Sequence, residues 1–194
     1  MNLRGMIKMR RKDREMDKEF GLKVIDKSQF GVLSIVDDNV PYGIPLSIAR
    51  DGNRLYFHSA MDGRKVKILE KNPNVSVAFV GEVKVPEIYS KEELDEILKD
   101  KSKAGLLTSN IFTTEFESAI VAGKARLVED EEEKIKGLRL ICQKYTPTKM
   151  DYFPMAAKSG LKYTNIYCIE IEEITAKRKK YNSKGEELKW GRTE

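Results

Sequence analysis

The 194-residue sequence is poor in the residues that build metal clusters and disulfide scaffolds: it has two cysteines, one histidine and one tryptophan. Cys142 and Cys168 show no metal-ligand spacing, so neither a zinc site nor a disulfide framework is expected. A reducing cytoplasm is the compartment this cysteine usage suggests. Long apolar runs are also missing. The longest, Val75–Gly81 and Ala119–Gly123, fall far short of the ~20 residues a helix needs to cross a bilayer. The opening MNLRGMIKMRRKDREMDKE holds no apolar stretch of the kind a secretory signal carries, and the acids from Asp13 onward argue against a transit peptide. Internal repeats, low-complexity tracts, a nucleophile triad and a phosphate-binding Gly-rich loop are all lacking.

What is present suits one domain, since domains run to ~100–200 residues. Apolar residues make up 40% of the chain and charged residues 35%, enough for one core under a heavily charged surface. The net charge of +5 is unevenly placed. Residues 1–23 carry +4 and residues 176–194 carry +4, leaving the body, 24–175, at −3. A nucleic-acid-binding domain would concentrate its basicity on the folded body among aromatics. Basic ends alone hold phosphate backbones only loosely, so nucleic acid is not expected as the main partner.

Along the chain, residues 1–12 read as a loose basic arm. Asp13–Ser28 has helical spacing, with Met16, Phe20, Val24 and Ile25 on one side and Gly21 as a weak point. Phe30–Val36 reads as a strand, followed by the polar turn Asp37-Asp38-Asn39. Asp51-Gly52 predicts a type I′ hairpin turn pairing Ile44–Arg50 with Asn53–Ser59. Lys65–Lys71 reads as a helix stopped by Asn72-Pro73, and Asn74–Val80 as the next strand. Residues 82–113 look like an insertion, with a capping box at Ser90-Lys91-Glu92-Glu93 ahead of a short amphipathic helix. Thr114–Val128 returns to a β pattern, with Gly123 as a bulge or close-approach point. Asp130 and Glu133 cap a helix whose apolar face is Ile135, Leu138, Ile141 and Tyr145, and Cys142 on that face reads as core. The run Glu129–Glu133 is favoured there by the helix dipole and does not read as a metal site. Tyr163–Ile174 alternates as a strand, and the tail is charged but contains Trp190. About six strands joined by tight turns predict a mainly β protein, an antiparallel barrel with peripheral helices.

The stretch that carries chemistry is Leu55–Pro73, LYFHSAMDGRKVKILEKNP. A strand ends at His58-Ser59, a short loop follows, and a helix begins near Asp62 or Gly63. Arg64 and Lys65 then fall in its first turn, where the dipole is positive and cations are disfavoured. A bound phosphate resolves that conflict by accepting first-turn N–H groups, the Ser59 hydroxyl and charge-assisted bonds from Arg64 and Lys65. Alternatively, both side chains extend into solvent.

This segment resembles the flavin-binding split-barrel superfamily of pyridoxamine 5′-phosphate oxidase. The resemblance lies in the aromatic strand Leu55–Ser59, then Gly63-Arg64-Lys65, Leu69, Asn72-Pro73 and the strand VSVAFVG. Together with IPLSIA, TTEFESAIVAGKARLVEDEEEK and IEIEEITAK, the wording is most similar to the nitroimidazole-resistance-like branch. It covers residues 13–177, with the helical insertion 82–113 inside and a charged tail, 178–194, outside.

The resemblance implies a six-stranded antiparallel split barrel, FMN as cofactor, and a homodimer with the cofactor at its interface. Arg64 and Lys65 match the phosphate-binding pair, with Ser59 and Ala60 beside them. Leu46, Ser47 and Ile48, on the strand expected to pair with Leu55–Ser59, match backbone along the isoalloxazine ring. His58 matches a histidine beside the flavin and is the one side chain given a catalytic part, orienting substrate or flavin. On its own, a lone strand-end histidine reads as a packing or hydrogen-bonding residue. Glu117 and Ser118 match positions supplied by the second subunit. Trp190 has two readings: closing over the dimer or flavin edge, or anchoring the tail.

The side chains that hold substrate phosphate in true pyridoxamine-phosphate oxidases have no match here, and the usual Thr-Gly-Lys reads Thr175-Ala176-Lys177. The expected activity is therefore electron transfer from a small-molecule donor to a small planar acceptor, such as a nitro-aromatic, through FMN. The competing class is a flavin- or haem-binding carrier or sensor without turnover.

Overall fold

The computed structural model describes residues 9–193. Most of the expected basic arm, residues 1–8, lies outside the described residues. Where the arm should give way to a helix, Lys12–Arg14 make a single 3-10 turn, and β1 (Glu15–Met16) pairs with the far end of the chain. The helix, α1 (Lys18–Lys27), starts five residues later than its spacing predicts. Its start is fixed by Asp17, whose side chain accepts from the Phe20 N–H at 2.7 Å, a cap that contributes about 0.5–2 kcal/mol. Val24 and Ile25 are fully buried, and each such side chain stabilises the fold by ~1.5–3 kcal/mol. Gly21 has a packing role: a Cβ there would meet Ile174 Cγ2 at 2.7 Å, so its bareness lets α1 lie close on the sheet.

The sheet has eight antiparallel strands, six long and two short. β2 (Gly31–Asp37) and β3 (Val40–Leu46) form a hairpin, and β4 (Ala49–Asp51) with β5 (Arg54–Ala60) forms another. The two-residue loop of the first, Asp38-Asn39, has positive φ at both positions (47° and 69°), the signature of a type I′ turn. The second turns about Gly52-Asn53, one residue beyond the expected Asp51-Gly52. Positive φ falls there on Gly52 alone, as in a type II′ turn. Of the expected pairing of Ile44–Arg50 with Asn53–Ser59, only Ala49 and Arg50 pair with β5, opposite Tyr56 and Leu55, because Ile44 and Leu46 pair with β2 instead.

After α2 (Arg64–Lys71) come β6 (Asn74–Lys84), α3 (Lys91–Lys99) with its Ser90–Glu93 capping box, and the short helical turn α4 (Ala104–Leu106). β6 therefore runs three residues into the stretch read as an insertion. β7 (Glu115–Leu127), α5 (Glu131–Tyr145), α6 (Phe153–Gly160) and β8 (Thr164–Lys179) complete the chain. Gly123 sits at the β7 bulge, where a Cβ would lie 2.2 Å from the Glu170 carbonyl oxygen. Close approach of β8 therefore requires glycine at this position.

The strand order is β3-β2-β6-β7-β8-β5-β4. Its two edges, β3 and β4, are consecutive in the chain and joined only by Ser47 and Ile48. Three peptide steps of 3.8 Å bound their separation at that point to about 11 Å. The sheet thus curls until its edges nearly meet but do not pair, which is the split of the barrel. Leu33, Leu55, Phe57, Val77, Phe79, Val121 and Ile169 fill the inside of the curl. A second cluster, Tyr56, Ile166 and Cys168 among others, lies between the sheet and α5. Cys168 is fully buried there, whereas Cys142, expected in the core, is only half-buried.

Candidate functional site

The split opens beside β5. On one edge β5 pairs with β8 along its whole length, Arg54–Ala60. On the other, β4 covers only Arg54–Tyr56. The backbone of Phe57–Ala60 therefore has no strand on that side and leads directly into the α2 turn. Strand alternation buries Phe57 and Ser59 and leaves His58 and Ala60 exposed. Phe57 stacks on Tyr167 at 5.1 Å between ring centroids. The Ser59 hydroxyl lies 2.7 Å from the Ala60 carbonyl, to which it donates. Asn165 donates to the carbonyls of Ala60 and Met61.

Gly63 precedes α2 with φ of 136°, a conformation side chains rarely adopt, and no side chain caps the helix there. Arg64 and Lys65 occupy the first turn, which contains no acid. Asp62, just outside, pairs with Lys67 at 3.4 Å. The two cations have different surroundings. Arg64 lies 3.7 Å from an Asp37 carboxylate oxygen and 4.4 Å over the Tyr42 ring. The sequence reading missed both partners, although Asp37 was visible in the polar turn and Tyr42 follows on β3. Lys65 has no carboxylate or hydrogen-bond partner among the described residues. Its ammonium stands 5.9 Å from the Phe57 ring centroid, and burial lowers its pKa.

His58 is next to this group. Burial of part of the ring, and then the charge of Lys65, push its pKa below 6.5, so the imidazole is neutral at physiological pH. A neutral imidazole offers one donor and one acceptor.

Leu46 ends β3, and Ser47 and Ile48 form the link across the split. Ile48 is fully buried. Its N–H donates to the Tyr145 hydroxyl at 3.0 Å, and its carbonyl accepts from that hydroxyl at 3.1 Å and from Lys144 Nζ at 3.0 Å. Neither Lys144 nor Tyr145 was singled out for this part by sequence, where Tyr145 read simply as the end of an apolar face.

Glu117 and Ser118 are not brought to α2 within one chain. They lie on β7 opposite Arg178 and Lys177 of β8, whereas β5 pairs with Thr164–Glu170 of that strand, so at ~3.3 Å per residue they are more than about 20 Å along β8 from the β5 pairing. Glu117 is ion-paired with Lys27. The Trp190 side chain does not anchor the tail, being 73% exposed. The tail is held by the Trp190 N–H on the Asp13 carbonyl, by the Arg14–Glu187 pair at 2.5 Å, and by burial of Tyr181 and Leu188.

A comparison with curated proteins finds no match. Solved structures give the same fold at low identity. A Bacteroides thetaiotaomicron protein, provisionally assigned to 5-nitroimidazole antibiotic resistance, is 22% identical over 84% of each chain, with a TM-score of 0.62. The flavocytochrome Anf3 from Azotobacter vinelandii is 22% identical, covering 84% of this chain and 68% of its own, with a TM-score of 0.62. The FAD and heme binding protein from Mycobacterium smegmatis is 15% identical, covering 86% and 73%, with a TM-score of 0.66. The family model described as pyridoxamine 5′-phosphate oxidase matches residues 17–178, which include every strand but β1 and all but the last residue of β8. The antiparallel sheet split between β3 and β4, together with that match, makes this chain a member of the pyridoxamine 5′-phosphate oxidase family.

Proposed function

We propose that the protein binds FMN and passes electrons from a small-molecule donor to a small planar acceptor, with nitro-aromatic compounds the class to try first. The observation that carries this reading is Lys65: a half-buried ammonium without a carboxylate partner, at a helix start with no side-chain cap and no first-turn acid. That arrangement suits a phosphate, which accepts from free first-turn N–H groups and compensates the buried charge. Arg64 and Lys65 would hold the phosphate, and Leu46 at the end of β3 with the link Ser47-Ile48 would run along the flavin ring. His58 would hydrogen-bond flavin or acceptor. The bound flavin supplies the redox chemistry, while the chain supplies orientation and shielding from water. Family membership supports this reading, as do neighbours named for flavocytochrome and for FAD and heme binding.

The test is titration of FMN and riboflavin into wild type and Arg64→Gln/Lys65→Gln. Charge-assisted bonds contribute ~1.5–3 kcal/mol each, so FMN affinity should fall by about a hundredfold or more. Riboflavin, without the phosphate, should be nearly unaffected. Equal losses for both ligands would refute the assignment. Reoxidation of the reduced protein by nitro-compounds then separates an oxidoreductase from a carrier or sensor.

We also infer a homodimer. One cross-strand row of the sheet surface facing away from the core is apolar. Cross-strand register aligns Val32, Ala78 and Ile120, with Val32 40% and Ile120 50% exposed. Such a surface favours a partner. A second copy placed there would bury it and could bring its Glu117, Ser118 and Trp190 toward the cofactor.

A further inference from the structure

α5 and α6 line an open cavity of about 580 Å³, within the ~300–1,000 Å³ range of small-ligand sites. None of the residues read as cofactor contacts lines it. The floor comes from one stripe of α6 and the turn beyond, Phe153, Ala157 and Leu161 at four-residue spacing, faced by Ile135 of α5. The adjacent stripe carries Lys158 and Lys162, and the α5 wall carries Lys134 and Arg139.

The charge pattern is what singles out this cavity. Salt bridges are common elsewhere on this surface, yet none of these four cations has a carboxylate or a side-chain hydrogen-bond partner among the described residues. Glu129 and Glu131 line the same cavity without pairing with them. Arg139 is held with its guanidinium 4.6 Å from the Phe153 ring centroid. A planar cation fixed over an apolar floor leaves its in-plane N–H donors free for an anion, at little further ordering cost.

We propose that this cavity is a second ligand site, taking a flat apolar or aromatic molecule that carries a phosphate or carboxylate. The body of the ligand rests on Phe153, Ala157 and Leu161. Its anionic group lies between Arg139 and Lys158, one cation from each wall. The four cations outnumber Glu129 and Glu131 in this lining, and an anion between Arg139 and Lys158 relieves the repulsion between those two cations.

The experiment uses 1-naphthyl phosphate and uncharged 1-naphthol as probes, titrated by calorimetry into the full chain saturated with FMN. Wild type should bind the phosphate ester at least tenfold more tightly than the naphthol. Binding should weaken with salt, as a charge-assisted contact requires. Arg139→Gln/Lys158→Gln should lose at least tenfold in naphthyl phosphate affinity and keep its FMN affinity. Both positions are exposed, so the variant should fold as wild type does, which circular dichroism checks. No preference for the phosphate ester, an unchanged affinity in the double variant, or competition between naphthyl phosphate and FMN would each overturn the proposal. The last of these would place the anion at Arg64 and Lys65 instead.

Discussion

The Tyr145 hydroxyl satisfies both backbone groups of Ile48, accepting from its N–H at 3.0 Å and donating to its carbonyl at 3.1 Å. Ile48 belongs to the two-residue link that spans the split, so it has no strand partner to take those bonds. A link without regular pairing is costly to bury unless its polar groups are met otherwise, and the end of α5 meets them. Tyr145→Phe keeps the ring beside Phe30 and leaves the Ile48 N–H orphaned. A buried donor without a partner costs ~1–3 kcal/mol, so urea unfolding should show a loss in that range. Lys144→Met should cost less: the Ile48 carbonyl keeps the tyrosine hydroxyl, a partly buried ammonium is removed, and only the Ile25 carbonyl, near the end of α1, loses this donor. The reverse order would mean that the lysine holds the link.

The strands were legible because their apolar residues alternate and polar turns separate them. β2, β6 and β7 sit within a few residues of their predicted bounds for that reason. Caps announced themselves equally well at Ser90 and Asp130, whose side chains accept the expected N–H bonds. The failures were tertiary. Asp51-Gly52 and Asp38-Asn39 are both competent hairpin dipeptides, and local propensity does not say which strand each pairs. The sequence therefore pairs Ile44 with the wrong strand, and it puts Ser47 and Ile48 on a strand although they cross the split. Gly21 looked like a flaw because the sequence does not show Ile174 pressing on it. At the site, a cation pair in the first helical turn could be read from spacing. That Arg64 finds Asp37 and Tyr42 while Lys65 finds neither requires the β2–β3 hairpin to be in place.

His58 should titrate below 6.5, because the surrounding protein and the Lys65 charge both disfavour the imidazolium. It is the only histidine in the sequence, so one ring-proton NMR signal reports it without assignment. Between the ordinary and the lowered pKa the unfolded chain takes up a proton that the folded chain refuses. The contribution of His58 to stability is therefore complete above 6.5 and lost as pH falls through its folded pKa. Lys65→Gln should move the midpoint up part of the way, since burial, the larger cause, remains. Saturation with FMN should also move it up if the phosphate neutralises Lys65. A midpoint at or above 6.5 in the cofactor-free protein would contradict this geometry.

The row Val32, Ala78 and Ile120 should be the centre of a dimer interface. Val32→Lys/Ile120→Lys places two like charges opposite their counterparts in the partner copy, and such juxtaposition costs several kcal/mol. Both side chains are largely exposed in the single chain, so folding of the protomer should be affected little. Sedimentation should then show a dimer for wild type and a monomer for the variant at micromolar concentration. FMN affinity should fall as well, if the partner completes the site. A wild type that sediments as a monomer while holding FMN tightly would remove the second copy from the scheme.

The two first-turn cations should behave differently when replaced one at a time. Arg64 has protein partners of its own, an Asp37 oxygen at 3.7 Å and the Tyr42 ring at 4.4 Å. These offset the unfavourable helix dipole even without a ligand. The pair is half-exposed, so Arg64→Gln should lower the stability of the cofactor-free protein by ~1 kcal/mol at most. Lys65 has the dipole against it, partial burial against it, and no compensating carboxylate. Lys65→Gln should therefore leave the cofactor-free protein as stable as wild type or more so, which thermal unfolding without ligand reads directly. With FMN the order should invert. Binding lets Lys65 gain a partner where it had none, whereas Arg64 must share or exchange Asp37 to reach the phosphate. The lysine variant should accordingly lose more FMN affinity than the arginine variant, and by more than tenfold. A lysine variant that is destabilised without ligand and binds FMN normally would show that Lys65 serves packing over Phe57 and not an anion.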